Sequence, residues 1–154
     1  MSHRRRTARA IIIQDGKILA FERWRTDAMG KEFHYYSIPG GGIEDGESPE
    51  AAVQRELMEE MGVVISVGEL LIRQTTDERY HYYFTCSIVS GIPSFQLDSP
   101  EAALATAHNT FAVAWVSLSG FHSSPFFPAY QHAIDAVMLL RSSPDHKSPI
   151  DISS

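Results

Sequence analysis

Three glutamates are predicted to lie on one turn of a helix. Glu56, Glu59 and Glu60 are spaced at i, i+3 and i+4, which places their carboxylates on one helix face. Like charges at this spacing repel and weaken an isolated helix by a few tenths of a kcal/mol per pair, roughly. Converging hard oxygen ligands favour a divalent cation between them, most simply Mg2+ or Mn2+. The alternative interpretation is an acidic face that only contacts solvent.

The helix that carries these glutamates has clear predicted boundaries. Ser48 is a favourable N-cap, Pro49 suits the first helical position, and Gly62 is placed to end the helix. An apolar stripe beside the carboxylates can pack on a sheet, and its members are Val53, Leu57 and Met61. The sequence therefore predicts a helix that buries one face and presents its acidic face to a site.

A glycine-rich turn precedes this helix. Its glycines are Gly40, Gly41, Gly42 and Gly46, and its acids are Glu44, Asp45 and Glu47. Glycine allows positive φ angles and lets the backbone approach a metal ion or a phosphate without an intervening Cβ atom. We expect this turn to form one wall of the site.

The stretch from turn to helix resembles the Nudix box at every fixed position. Those positions are Gly41, Glu47, Arg55, Glu56, Leu57, Glu59, Glu60, Gly62 and Val63. Agreement at so many fixed spacings rarely arises by chance, and the chain is therefore identified as a member of the Nudix superfamily. The resemblance implies the α/β fold class, as a Nudix-type α/β/α sandwich with a mixed β-sheet between helices. It also implies metal-assisted hydrolysis of a nucleoside diphosphate linked to another group, with water attacking phosphorus.

The resemblance further implies roles for individual residues. The expected metal ligands are the Gly40 carbonyl and the carboxylates of Glu56, Glu59 and Glu60. Glu56 is the first choice for the catalytic base, and Glu101, in a later loop, is the alternative. Arg55 is expected to orient a box glutamate by ion pairing. Glu47 is expected to support the turn or a water molecule on the metal.

Length and composition indicate one domain. The chain has 154 residues, of which 44% are hydrophobic, enough for a single core. We expect a flexible basic arm over residues 1–6, the domain over 7–141 and a disordered tail over 142–154. Strands are predicted at 7–14, 17–24, 33–38, 63–75, 80–89 and 111–118, with a hairpin turn at Asp15-Gly16 and a second helix over 128–141.

Charge and cysteine content narrow the class of protein. The net charge of −6 argues against a general nucleic-acid surface, so phosphates must be received by a local cationic site. The single cysteine, Cys86, excludes an intrachain disulfide, fits a reducing cytoplasm and is expected to be a buried packing thiol. No apolar run approaches the length of a transmembrane helix, and no signal peptide is visible. We expect a cytoplasmic protein. The sequence leaves the oligomeric state open, and the Nudix resemblance offers a homodimer as one alternative.

Several side chains outside the box could contact the substrate. Arg23 and Arg25 end a predicted strand, and guanidinium groups bind phosphates bidentately. Tyr80 could stack on a nucleobase, although aromatic residues in strands more often pack in the core. Glu101 could contact the substrate or the metal, or lie in an ordinary turn.

Two classes of function are compatible with these residues. As an enzyme, the chain would cleave small nucleotide pyrophosphates, with nucleoside triphosphates, oxidised ones included, ahead of ADP-sugars and dinucleoside polyphosphates. As a binding module, it would keep the same fold and sense a nucleotide without turnover. The complete set of carboxylates favours the enzyme.

Overall fold

The computed structural model describes residues 4–96, 109–143, 145 and 147–153. The strands of the described residues are β1 (Arg5–Ile11), β2 (Ile13–Gln14), β3 (Lys17–Thr26), β4 (Glu32–Ser37), β5 (Gly40–Gly42), β6 (Val64–Thr75), β7 (Arg79–Ser90), β8 (Asn109–Ser117) and β9 (Ile150–Ser153). The helices are α1 (Pro49–Met61), α2 (Pro128–Ser142) and a 3-10 helix over Leu118–Ser123.

The strands form two sheets rather than one. The first has the order β5-β1-β7-β6-β9 and is mixed, since β1 is parallel to β7 and antiparallel to β5. In the second sheet, β3 pairs antiparallel with β2, β4 and β8. The predicted mixed sheet is confirmed, and a second, antiparallel sheet lies beside it.

The two helices cover opposite sides of these sheets. Successive residues of a strand point to opposite faces, and in β3 the fully buried Leu19 packs with α1 whereas the fully buried Ala20 packs with α2. The predicted apolar stripe of α1 is completely buried at Val53, Leu57 and Met61. The α/β/α sandwich is therefore confirmed.

The first hairpin forms as predicted, but the strand before it is divided. Asp15 and Gly16 have φ angles of 51° and 72°, as a two-residue type I′ turn requires. The predicted strand over 7–14 is interrupted at Ile12, because β1 belongs to the first sheet and β2 to the second. Ile12 is buried at the crossing, where its carbonyl accepts a hydrogen bond from the Leu19 N–H at 2.9 Å.

Both predicted flexible ends contain residues in regular structure. Arg5 and Arg6 belong to β1 and pair with β7, and the Arg6 guanidinium lies 5.4 Å from the centre of the Tyr82 ring. Near the other end, β9 pairs parallel with β6 through Ile72↔Ile150. Ile150 and Ile152 pack against the core. The structure thus differs from the predicted arm and tail, since alternating isoleucines give this short segment one apolar face.

The single cysteine is a packing residue, as predicted. Cys86 lies buried in β7 and packs with the core on the α1 side. Burial raises the pKa of its thiol to about 12, and a protonated, enclosed thiol is unreactive.

Candidate functional site

Helix α1 is fixed at both ends by its own capping residues. The Ser48 hydroxyl accepts a hydrogen bond from the Ala51 N–H at 3.1 Å. Gly62 adopts the left-handed conformation, with φ 68°, and its N–H donates to the Met58 carbonyl at 3.0 Å. These caps satisfy polar groups that a helix terminus otherwise leaves unpaired. The acidic face therefore has a defined position relative to the glycine turn.

Arg55 connects the glycine turn to the acidic face of α1. Its Nε and Nη2 atoms donate to the two carboxylate oxygens of Glu47 at 2.8 and 3.0 Å. Nη2 also donates to the Gly42 carbonyl at 2.9 Å. Nη1 donates to Glu56 at 3.1 Å and to Glu59 at 3.2 Å. One guanidinium thus holds a turn carbonyl and three carboxylates together.

This network changes the acidity of its members. The hydrogen bonds from Arg55 lower the pKa of the Glu47 carboxyl, and a backbone hydrogen bond adds to the effect. The bonds to Glu47 also raise the pKa of Arg55 further above its ordinary value. Glu47 in turn closes the turn, since its Oε1 accepts from the Glu44 N–H at 3.1 Å. We conclude that Arg55 and Glu47 are charged and paired at neutral pH.

Two glycines let the turn approach its neighbours more closely than other residues allow. At Gly40, with φ 144°, a Cβ atom would lie 2.1 Å from the Ala8 carbonyl oxygen. At Gly41, a Cβ atom would lie 2.5 to 2.7 Å from the carboxyl atoms of Glu56. Real Cβ contacts are not this short, so the backbone of β5 occupies the space that side chains would fill. The Glu56 carboxylate consequently lies against the main chain of the turn.

The three box glutamates differ in exposure. The side chains of Glu56 and Glu59 are 13% and 39% exposed. Glu60 is buried, with 4% of its surface exposed, and it lines a cleft together with Gly40 and Gly41. A buried carboxylate is costly unless it is paired or binds a cation. The acidic face therefore extends from solvent into the interior of the cleft.

The donor chemistry of this face fits a divalent cation. Within the described ranges, no group of three or more His, Cys, Asp or Glu side chains is arranged to ligate a metal. Glu56 and Glu59 instead share the Arg55 guanidinium as their cation. The hard carboxylate oxygens of α1 and the glycine main chain of β5 suit a small divalent ion, and the missing Cβ at Gly41 leaves the Glu56 oxygens next to that main chain.

The cleft has a volume of about 530 Å³ and lies between the glycine turn and the start of α2. Aromatic side chains supply much of its lining, namely Phe21, Tyr35, Phe111, Phe127 and Tyr130. Its charged lining consists of Arg9, Arg23, Arg79, Glu60 and Glu78. A second hollow of about 510 Å³ shares Glu78, Arg79, Phe127 and Tyr130 with the cleft. Aromatic walls beside cations suit a ligand with a flat ring and an anionic group.

The predicted substrate-binding residues do not all reach this cleft. Arg23 lines it and donates to the Asn109 side chain at 3.0 Å and to the Tyr35 hydroxyl at 3.1 Å. Arg25 instead lies over the Phe33 ring, beside a separate hollow. Tyr80 is not part of the cleft lining, and its hydroxyl accepts a hydrogen bond from Arg4 at 3.1 Å. Glu101 lies outside the described residues.

Sequence reasoning missed several residues of the cleft. Arg9 could have been found, because it is a charged residue inside the apolar segment Ala-Arg-Ala-Ile-Ile-Ile. The aromatic residues Tyr35, Phe127 and Tyr130 carry no such signal. Their positions depend on contacts between residues far apart in the chain, such as Tyr35 with Phe127 and Arg9 with Tyr130, which sequence spacing does not reveal.

Within the described part of the chain, no helix is long and apolar enough to cross a membrane.

Comparisons with known proteins identify the family of the chain. A model of the NUDIX domain matches residues 3–137. A CTP pyrophosphohydrolase of Escherichia coli is 30% identical over 137 residues, which cover 87% of this chain and 91% of that protein.

Solved structures share the fold of this chain. The solution structure of the E. coli ORF135 protein has a TM-score of 0.65 at 25% identity, covering 94% of this chain and 96% of that one. An ADP-ribose pyrophosphatase from Streptococcus suis has a TM-score of 0.61 and shares the fold at 17% identity, with coverages of 99% and 100%. The chain therefore belongs to the Nudix family and is a hydrolase that acts on phosphorus-containing acid anhydrides.

Proposed function

We propose that the chain hydrolyses a nucleoside triphosphate to a monophosphate and pyrophosphate, with Mg2+ or Mn2+ as cofactor. The observation that carries the proposal is the meeting of Glu60, Gly40 and Gly41 in one cleft with arginine and aromatic side chains. The similarity to a protein named CTP pyrophosphohydrolase over nearly its whole length supports a triphosphate substrate. A triphosphate offers an aromatic ring and several anionic groups, which match the two kinds of lining.

The cation would be held by the carboxylates of Glu56, Glu59 and Glu60 and by the Gly40 carbonyl. When bound, it supplies neutralisation of the phosphoryl oxygens and activation of water near neutral pH. Glu56 takes the proton from the attacking water. Glu101 is the alternative base. Arg55 holds Glu56 and Glu59 in position through Nη1.

The remaining groups bind and orient the substrate. Arg23 lies in the cleft next to Tyr35, where a guanidinium can meet a phosphate group. Substrate contacts by Arg25, Tyr80 and Glu101 remain predictions. Cytoplasmic location and pairing as a homodimer also remain predictions.

A second substrate class is favoured by the hollow beside the cleft. That hollow adds about 510 Å³ and shares Arg79 and Tyr130 with the cleft. A compound with a second nucleoside or a sugar beyond the diphosphate would have room there. Dinucleoside polyphosphates and ADP-sugars are therefore the second candidates.

The test is phosphate and pyrophosphate release from a panel of nucleotides with Mg2+. The panel contains CTP, the other nucleoside triphosphates, an oxidised triphosphate, ADP-ribose and diadenosine polyphosphates. We expect pyrophosphate from triphosphates and a loss of about 100-fold or more in kcat for Glu59→Gln. Glu50→Gln is the matched control, because Glu50 is exposed on the same helix. A wild-type protein as inactive as Glu59→Gln on every compound would favour a sensor and contradict the proposal.

A further inference from the structure

Arg9 lies directly opposite the glycine turn. In the antiparallel pairing of β1 and β5, the Cα partner of Arg9 is Gly40. A Cβ atom on Gly40 would lie 2.7 Å from the Arg9 Cα, so the two strands approach closely at this point. The Arg9 side chain lines the cleft that contains Gly40 and Glu60. The guanidinium is thus within one side-chain length of the proposed reaction site.

The guanidinium of Arg9 is held in place but is not saturated. Nη1 donates to the Ile38 carbonyl at 2.8 Å, and the group lies 5.0 Å from the centre of the Tyr130 ring. Nε is buried and has no hydrogen-bond partner among the described residues. Over the same part of the chain, no carboxylate forms an ion pair with Arg9. A buried cationic donor without an acceptor costs free energy.

The surroundings of Arg9 favour an anion. Arg79 lines the same cleft. His81 is buried behind this wall, with its ring 5.9 Å from that of Tyr130. Burial, together with the positive charges of Arg9 and Arg79, lowers the pKa of His81 to about 3. The positive charge at this wall therefore resides on the arginines, and among the described residues neither Arg9 nor Arg79 forms an ion pair with a carboxylate.

We propose that Arg9 binds a phosphate group of the substrate and is the anion-binding residue of the wall facing α1. The inference rests on the proposed function, since it assigns part of the same substrate. Guanidinium donors match phosphate oxygens in geometry and charge. The hydrogen bond to the Ile38 carbonyl and the neighbouring Tyr130 ring already hold the guanidinium, so little side-chain freedom is lost on binding. The phosphate supplies the missing acceptor.

The test is calorimetric titration of the full chain with inorganic pyrophosphate in the presence of Mg2+. We expect Arg9→Met to weaken binding about 10-fold or more, because a charge-assisted pair is lost. Arg9→Lys keeps the charge but loses the planar fork, so its affinity should lie between the two. Arg141→Met is the control, since Arg141 is an exposed arginine of α2 and its loss should change nothing.

The melting temperature (Tm) of the ligand-free variants distinguishes a structural role of Arg9 from a role in phosphate binding. Arg9 forms no ion pair with the described carboxylates of the free protein, so for a phosphate-binding Arg9 the Arg9→Met variant should melt no lower than the wild type. A Tm that falls by many degrees in both Arg9→Met and Arg9→Lys would overturn the proposal in favour of a structural arginine. Unchanged pyrophosphate affinity in Arg9→Met would overturn it, and so would a wild type that does not bind pyrophosphate. Loss of cytidine binding with pyrophosphate binding unchanged would assign Arg9 to the nucleobase and also overturn it.

The two proposals fail in different ways. If the wild type hydrolyses triphosphates and Arg9→Met binds pyrophosphate with full affinity, the proposed reaction stands and the proposed role of Arg9 is wrong. If the wild type turns over no compound of the nucleotide panel and Arg9→Met loses affinity for pyrophosphate, the anion site stands and the proposed reaction is wrong.

Discussion

Two arginines on opposite walls of the site differ in how they are paired. Arg55 donates to three carboxylates and a turn carbonyl. Arg9 donates to the Ile38 carbonyl alone among the described residues, and its Nε is buried without an acceptor. The hydrogen-bond donors of Arg55 are therefore used within the protein, whereas Arg9 retains a donor for a ligand. Side chains of one type can be assigned different tasks by counting the hydrogen bonds they still lack.

The two walls also differ in how the chain brings them together. All partners of Arg55 come from the turn and from α1, which follow each other directly in sequence. The wall around Arg9 joins β1 to Tyr130 of α2, which is distant in the chain. The acidic wall, formed by the glycine turn and the glutamates of α1, is therefore a local structure. The basic wall, formed by Arg9, Arg79 and Tyr130, exists only after the domain has folded.

The largest expected effect is on stability and distinguishes the two arginines. Arg55→Met should lower the free energy of unfolding by about 2 kcal/mol, because the carboxylates that Arg55 bridges are left to repel one another. We also expect kcat to fall about 10- to 100-fold, since the carboxylates lose their orientation. Urea denaturation and the pyrophosphate-release assay measure the two effects. Equal unfolding free energies for Arg55→Met and Arg9→Met would remove the contrast between the walls.

The next effect concerns the close approach of the turn to the acidic face. Gly41→Ala places a methyl group 2.5 Å from the Glu56 carboxyl carbon, so the carboxylate must move. We expect activity to fall about 10-fold and the Mg2+ concentration for half-maximal activity to rise, as with other changes beside a ligand. Gly120→Ala is the control, because an added Cβ meets nothing within 4 Å there. Equal activities of the two variants would show that Glu56 needs no such contact.

The third effect is a pH dependence of the basic wall. His81 is neutral in the folded protein, with a pKa of about 3 against an ordinary value of 6.5. Between these values the unfolded chain binds one more proton, so stability is lost as the pH falls below about 6.5. The loss approaches about 1.4 kcal/mol per pH unit.

Urea denaturation between pH 6.5 and 4.5 measures this dependence. His81→Asn should reduce the slope of the unfolding free energy against pH by the equivalent of up to one bound proton. The control His132→Asn, at an exposed position, should leave that slope unchanged. A wild-type slope equal to that of His81→Asn would mean that His81 carries a proton in the folded state.

Much of the acidic wall could be predicted from sequence, and little of the basic wall. Ser48 and Gly62 mark the ends of α1 by local chemistry, and the spacing of its glutamates needs no tertiary information. The turn at Asp15-Gly16 is local in the same sense. Arg9 was visible as a charge in an apolar strand, but its relation to Tyr130 depends on long-range packing. Strand β9 was missed because only two isoleucines alternate in it, and four residues directly after a proline are too few to predict a strand on their own.

The division of the chain into two sheets was also beyond sequence reasoning. The apolar run Ala10-Ile11-Ile12-Ile13 joins β1 to β2 and indicates one strand. The pairing of β2 with β3, through Ile13↔Ile18 and Gln14↔Lys17, places β2 in the second sheet. Register and sheet membership are set by contacts between distant strands, which periodicity in a single segment does not encode.

We propose above that the carboxylates of α1 bind a divalent cation for phosphoanhydride hydrolysis. Anomalous diffraction from crystals grown with Mn2+ and a non-hydrolysable nucleoside triphosphate tests it most directly. We expect at least one manganese peak within coordination distance of the oxygens of Glu56, Glu59 or Glu60, with a phosphate oxygen on the same ion. Manganese absent from all three carboxylates, in a protein that cleaves the corresponding natural triphosphate, would contradict it.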